Sequence, residues 1–165
     1  MKKILITGGG GYIGSMLTTE LLRLGHEVTV IDLLKYDKGS LDHLYYEKKF
    51  TFINGDIRNL NLLKKIIYKN EFVIPLAALV GAPLCKKNKK DAISINYESI
   101  KKILQTLKKK QKLIYLTTNS GYGIGEKNKF CNEESPLKPI SLYGQTKCDA
   151  ENEVRKFKNT ISFRL

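Results

Sequence analysis

Tryptophan is absent from these 165 residues, and cysteine and proline are scarce, at three and four residues. The cysteines, Cys85, Cys131 and Cys148, stand at no CxxC or metal-ligand spacing. So small and odd a set builds no disulfide framework; it fits a reducing cytoplasm, and no metal site is expected. Long apolar runs are missing too, and nothing approaches the roughly 20 residues that span a bilayer. The basic-then-apolar opening Met1–Thr7 is stopped by Gly8 after three apolar residues, too few for an export signal. No membrane partner is therefore expected. Acidic residues number 16 against 29 basic ones, for a net charge of +13 and a pI of about 9.6. A basic chain can bind nucleic acid. Yet only four basic residues are arginine, Arg23, Arg58, Arg155 and Arg164, and arginine is what base-reading and bidentate phosphate sites favour. The lysine clusters at 86–90 and 108–110 fall at expected helix ends, where positive charge suits the dipole or faces water. No nucleic-acid partner is expected, and an anionic small substrate would use the same field.

What is present is a regular alternation. The length and the 42% hydrophobic content fit one globular domain over 1–165. Strand patterns at 3–7, 28–32, 50–53, 72–79, 112–117 and 161–165 alternate with helical ones at 12–24, 41–47, 60–69, 91–109 and 141–157. In the helix at 91–109, Ile93, Tyr97, Ile100, Ile103, Leu104 and Leu107 share one face. Pro75 interrupts the fourth strand. A polar loop with Pro136 and Pro139 follows the fifth. This alternation predicts an α/β fold: a doubly wound parallel sheet of the Rossmann type, strand order 3-2-1-4-5-6. Ligands in such a sheet sit at the carboxyl ends of the strands.

The first strand-to-helix turn reads Thr7-Gly8-Gly9-Gly10-Gly11-Tyr12-Ile13-Gly14. Gly8, Gly11 and Gly14 satisfy G-x-x-G-x-x-G, and Gly9, Gly11 and Gly14 satisfy G-x-G-x-x-G. A glycine run matches such spacings cheaply, so the signal lies in the context of a buried strand before it and a helix after it. Glycine lets a pyrophosphate approach a helix N-terminus. Asp32 ends the second strand, 18 residues beyond Gly14. A carboxylate there can accept hydrogen bonds from the adenosine ribose hydroxyls and would repel a 2′-phosphate, favouring NAD over NADP.

The ordered pieces Thr7-Gly8-x-x-Gly11-Tyr12-Ile13-Gly14-Ser15, Asp56-Ile57-Arg58, Leu76-Ala77-Ala78, Asn96, Thr117-Thr118, Tyr122-Gly123, Glu133-Glu134-Ser135-Pro136 and Tyr143-x-x-x-Lys147 run the length of the chain. Together they resemble the extended short-chain dehydrogenase/reductase family, in its NAD-dependent epimerase/dehydratase branch. YxxxK alone is uninformative: of nine tyrosines, Tyr45, Tyr97 and Tyr143 each have lysine four places on. Only Tyr143 follows the fifth strand and opens the next helix. Residues four apart share a helix face, so Tyr143 and Lys147 can both point at a cofactor.

The resemblance implies NAD as cofactor, Tyr143 as general base, Lys147 as the charge that favours its phenolate and as the holder of the nicotinamide ribose, and Thr118 as hydrogen-bond partner of the reacting hydroxyl. It implies adenine contacts from Asp56 and Ile57, and close cofactor approach at Leu76, Ala77 and Ala78. Gly8, Gly11, Tyr12, Ile13 and Gly14 would hold the diphosphate, and Asn96 would brace the site. Family members are about twice as long, so the chain corresponds to the cofactor half, without the substrate domain; full-length relatives are expected to be homodimers.

Two departures matter. Pro75 stands where many relatives have histidine. Asn119-Ser120 stand where sugar 4,6-dehydratases carry an Asp-Glu acid pair, which disfavours a dehydratase of that design. The segments 74–83 and 119–126, the latter ending in Glu126, are most similar to a bacterial subgroup acting on nucleotide-linked sugars. The expected activity is oxidation of a nucleotide-sugar hydroxyl, at C4, as an epimerase or 4-dehydrogenase in surface-polysaccharide sugar biosynthesis. A non-catalytic NAD-binding module and a basic nucleic-acid binder stay open as alternatives.

Overall fold

The computed structural model describes residues 1–125 and 130–165; Glu126 lies outside them. Six strands, β1 (Lys3–Thr7), β2 (Glu27–Asp32), β3 (Phe50–Asn54), β4 (Phe72–Pro75), β5 (Lys112–Thr117) and β6 (Thr160–Arg164), form one sheet in the order β3-β2-β1-β4-β5-β6. Every pairing is parallel. β1 lies inside the sheet and is buried from Ile4 to Thr7, which is why it reads as an unbroken apolar run. Its register sets Thr7 beside Ile31 of β2 and beside Pro75 of β4.

Helices α1 (Tyr12–Arg23), α2 (Leu60–Ile67), α5 (Ser99–Thr106) and α6 (Leu142–Val154) cover the sheet. On one face Leu5, Ile31, Val73, Leu113 and Tyr115 pack against Leu63 and Ile67 of α2, Ile100, Ile103 and Leu104 of α5, and Ala150 and Val154 of α6. On the other, Ile4, Ile6, Val28, Val30 and Ile74 meet Leu17 and Leu21 of α1 with Leu41 and Leu44. Each fully buried Leu, Ile or Val contributes roughly 1.5–3 kcal/mol. On β6, Ile161 and Phe163 remain about half exposed.

The structure revises three local expectations. The fourth strand stops at Pro75 instead of reaching Leu79. Proline brings no N–H to a ladder, and beyond it Leu76 and Ala77 turn their amides to the Thr7 carbonyl (2.8 Å) and hydroxyl (3.3 Å). The helix expected over 91–109 is divided among α4 (Lys89–Ile93), a π-helical turn (Ser94–Glu98) and α5, which ends at Thr106, and a short helix not expected, α3 (Ala82–Lys87), precedes them. The π turn shifts the helical register, so Ala92, Asn96 and Ser99 are buried while Ile93 is exposed. Residues 41–47 form only a 3₁₀ turn at Asp42–Leu44, and a second one, Asn119–Tyr122, opens the loop after β5.

Candidate functional site

Parallel strands bring every strand-to-helix connection to one edge of the sheet. There they surround a crevice of about 530 Å³. Gly8, Gly11, Tyr12, Ile13 and Gly14 line it from the β1–α1 turn, Asp32 from the end of β2, and Asp56 and Ile57 from the turn after β3. Leu76, Ala77 and Ala78 line it after β4, Thr118 after β5, and Tyr143 and Lys147 from α6. Each residue given a cofactor or catalytic role from the sequence thus opens on the same cavity, apart from Asn96, which stands behind its wall.

The glycine turn shows two kinds of requirement. Gly8 has φ +74°, and a Cβ there would run into the Ala77 backbone, with Ala77 Cα only 2.6 Å away; its need for glycine is internal to the fold. Gly11 has φ −80° and ψ 176°, extended backbone open to any residue. A Cβ on Gly11 would meet only the Gly8 carbonyl, at 3.3 Å. That carbonyl would have to give by a few tenths of an ångström, far less than Gly8 would demand, so most of what Gly11 preserves is room in the crevice. Gly11 is also the N-cap of α1 and provides no side-chain cap. The first-turn amides of α1, on the wall of the cavity, therefore have no side-chain acceptor among the described residues, with the positive end of the helix dipole behind them. That cradle fits a diphosphate.

Asp32 stitches the crevice together. Its Oδ2 accepts the Gly10 amide at 2.9 Å and its Oδ1 the Leu34 amide at 2.8 Å. The second bond holds Leu34 at φ +48°, a left-handed conformation that costs a branched residue energy. A carboxylate has about four acceptor positions, so two stay available to hydroxyl donors. Asp56 accepts three bonds from the Arg58 side chain, from Nε to both oxygens at 3.0 Å and from Nη2 at 2.6 Å, and Arg58 reaches on to Asp91 at 2.7 Å. The Arg58 hydrogen bonds hold the Asp56 carboxyl below its ordinary range, with burial opposing.

Asn96 clamps the loop after β4. Its Oδ1 accepts the Leu79 amide at 2.7 Å and its Nδ2 donates to the Leu79 carbonyl at 2.9 Å. The same Nδ2 lies 3.4 Å from Thr146 Oγ1, next to Lys147 on α6. The π turn carries this buried amide across to α6.

Ser141 caps α6 by accepting the Gly144 amide at 3.1 Å, which puts Tyr143 in the first turn and Lys147 one turn later. Lys147 is buried, 6% exposed; its Nζ donates to the Leu116 carbonyl at 2.7 Å and sits 4.3 Å from the Tyr115 ring centroid. Burial pulls its pKa down to about 8, against the opposing influence of Glu151. Burial likewise raises the Tyr143 phenol, with Thr118 acting in the other direction and Cys85 adding to the rise. This departs from the expectation of a phenol lowered by a neighbouring ammonium: Lys147 is engaged with β5, and half-burial of Tyr143 dominates. Thr118 Oγ1 accepts the Ser120 amide and donates to the Ser120 hydroxyl, both at 3.2 Å.

Leu33, Leu34, Lys35 and Tyr36 also line the crevice, as do Val80 and Ile95. The sequence carried no signal for them. They are ordinary loop and helix residues, drawn to the cavity by the Asp32 and Asn96 clamps.

Comparison with known proteins adds to this geometry. The sequence profile of the NAD dependent epimerase/dehydratase family matches residues 4–164. The chain is 34% identical to a UDP-N-acetyl-alpha-D-glucosaminuronate decarboxylase of Bacillus cytotoxicus over 75% of its own length and 39% of the relative's. It is 32% identical to a UDP-glucose 4-epimerase of Lactobacillus helveticus over 88% of its length and 44% of the relative's. The chain thus spans less than half the length of these curated relatives. Among solved structures, a UDP-glucuronic acid 4-epimerase from Bacillus cereus, in complex with UDP-glucuronic acid and NAD, superimposes with a TM-score of 0.88 at 29% identity; the match covers 98% of this chain and 55% of that one.

Proposed function

Because this chain belongs to the NAD-dependent epimerase/dehydratase family, we propose that its crevice seats NAD for the oxidation of a nucleotide-sugar hydroxyl, at C4, in surface-polysaccharide sugar biosynthesis. Bound NAD supplies the hydride acceptor. The open amides of α1, at Tyr12, Ile13 and Gly14, hold the diphosphate. Asp32 accepts from the adenosine ribose hydroxyls through the positions its two backbone bonds leave over, and its charge turns away a 2′-phosphate. Asp56 and Ile57 meet the adenine. The small side chains of Ala77 and Ala78 let the loop after β4, beginning at Leu76, lie against the ligand.

Thr118 holds the reacting hydroxyl, and Tyr143, once it has lost its own proton to solvent, takes the hydroxyl proton as the phenolate. Half-burial favours the neutral phenol, so the phenolate needs positive charge beside it. Lys147 supplies that charge when its flexible stem swings from the Leu116 carbonyl toward the crevice, where it also holds the nicotinamide ribose. Asn119 and Ser120 offer no carboxyl group, so elimination of water by an acid pair at those positions is not available. Epimerase and 4-dehydrogenase share every step to this point and differ in whether the hydride returns; the fold does not separate them.

One observation supports this most: Gly11, Asp32, Thr118, Tyr143 and Lys147, scattered along the sequence, line one cavity. Calorimetric titration with NAD and NADP tests it. Saturable NAD binding, at least about tenfold tighter than NADP and lost in Asp32→Ala, is expected; absence of NAD binding sinks the reading. The engagement of Lys147 with the Leu116 carbonyl and the raised Tyr143 phenol favour a second reading, a dinucleotide-binding module without turnover. Appearance of NADH on addition of UDP-sugars, abolished by Tyr143→Phe with NAD affinity retained, would exclude it.

A further inference from the structure

The connections from helix to strand all lie at the amino ends of the strands, on the edge opposite the crevice. They are crowded with lysine. Lys108, Lys109 and Lys110 lead into β5, which opens on Lys112; Lys69 precedes β4 and Lys158 precedes β6. All six are exposed, and none pairs with a carboxylate among the described residues. β1 adds Lys2 and Lys3, held 3.0 Å from Glu71 and 3.4 Å from Glu27.

The crevice edge differs. Residues 8–11 and 76–81 carry no charge, Asp56 faces Arg58, and Asp32 and Asp37 stand among Lys35 and Lys38. Exposed Lys86, Lys87, Lys89 and Lys90 follow β4 on α3 and α4, so the contrast holds between the turns themselves: those that line the crevice carry no such run of exposed, unpaired lysines. Helix dipoles absorb only part of it. α1, α2, α5 and α6 end on the lysine edge, each presenting roughly half a negative charge, about two in all.

Apolar and aromatic tips interleave with these cations. Leu24, Tyr46, Tyr68 and Phe157 are exposed in the same connections, and the Lys108 ammonium lies 4.3 Å from the Tyr68 ring centroid. We propose that this edge docks on an anionic phospholipid surface, a peripheral contact that needs no spanning segment and so revises the expectation of no membrane partner, which rested on the lack of long apolar runs. Ammonium groups on long apolar stems, beside exposed tyrosines, suit the headgroup layer. Nucleic acid is disfavoured by the near absence of guanidinium forks and by the row of short turns, which offers no element to enter a groove. Docked this way, the sheet stands on the bilayer with its crevice open to water.

Co-sedimentation of this chain with phosphatidylcholine vesicles, with and without about 30 mol% phosphatidylglycerol, tests the proposal. The triple variant Lys108→Glu/Lys110→Glu/Lys158→Glu is compared with Lys86→Glu/Lys87→Glu/Lys90→Glu, which has the same net charge and changes a cluster away from that edge. The chain is expected to bind only the anionic vesicles, less at high salt. The first variant should lose about a hundredfold in partitioning, and the second less than about threefold. Lys→Gln versions at the same positions, checked by circular dichroism, stand in if a reversal fails to fold. Equal loss in both variants, no binding to anionic vesicles at low salt, or tighter binding to duplex DNA dependent on the same lysines would each overturn the proposal.

Discussion

Glu151 and Arg164 form an ion pair inside the protein: Arg164 Nη2 lies 2.7 Å from Glu151 Oε1, and Nε bonds both carboxylate oxygens at 3.0 and 3.2 Å. Their side chains are only 5% and 10% exposed. Arg164 also donates to the Tyr122 hydroxyl at 3.0 Å and the Glu133 carbonyl at 3.2 Å. One guanidinium thus fastens β6 to α6 and to two points of the loop joining Thr118 to Tyr143. Removing one partner strands a buried charge and is expected to cost about 3–5 kcal/mol. Urea unfolding of Arg164→Met and Glu151→Gln should show losses of that size, with the double variant losing less than their sum. Additive losses would mean the two residues act independently.

Lys147 gives stability a pH dependence of known sign. Its pKa is lowered to about 8 in the folded state, against about 10.4 in an unfolded chain. Between those values the unfolded chain binds the extra proton, so this residue's contribution to stability rises with pH across that window. Below the folded value the full penalty of burying the ammonium is present. Tyr115 and Tyr143, both raised by burial, work in reverse only once free phenols ionise, near pH 10. Chemical denaturation between about pH 7 and 9.5 should therefore show a rise in the natural sequence that Lys147→Met lacks. Parallel profiles would show that the buried ammonium is not the cause.

Gly8 and Gly11 should fail in different ways. Gly8→Ala demands a left-handed alanine pressed into the Ala77 backbone and is expected to cost more than about 2 kcal/mol or to prevent folding. Gly11→Ala sits in ordinary extended backbone and should change stability by less than about 1 kcal/mol. It should still weaken NAD binding at least about tenfold, because its methyl group occupies the cradle. Thermal melts and titration calorimetry on both variants check this. A Gly11→Ala protein that binds NAD normally would place the diphosphate elsewhere.

Asn96→Ala removes both bonds to Leu79: the partly buried Leu79 amide loses its acceptor, while the carbonyl keeps the Cys85 thiol at 3.1 Å, and the expected cost is about 1–3 kcal/mol. Since Leu79 lies on the wall of the crevice, NAD affinity should fall as well, even under conditions where the variant is folded. Asn96→Asp keeps the acceptor for the Leu79 amide and should lose less affinity than alanine at low pH, where it is neutral. Unchanged affinity in folded Asn96→Ala would confine this residue to packing.

Much of the site was legible because its elements are local. The run Lys3–Thr7 with its glycine turn, the carboxylate ending β2, and an apolar face of period 3.6 around Ile100–Leu104 each report burial that neighbours in sequence experience together. Tyr143 and Lys147 were legible only through order along the chain, since three Tyr-Lys pairs share that spacing. The misreadings came from non-local demands. β4 ends at Pro75 because Leu76 and Ala77 find acceptors on Thr7, far away in sequence. Ile93 is exposed because the chain adopts a π turn that buries Asn96 instead.

By itself the sequence determined the doubly wound sheet and its strand order, since alternating strands and helices with right-handed crossovers leave few other arrangements. It also determined which residues meet at the carboxyl edge. The tertiary structure alone decided that Lys147 turns to the Leu116 carbonyl, that Glu151 pairs with Arg164, and that Lys69, Lys108–Lys110, Lys112 and Lys158 gather at the amino ends of the strands. Those outcomes depend on which distant groups share a low-dielectric interior or a common surface, and residue spacing along a chain carries no record of that.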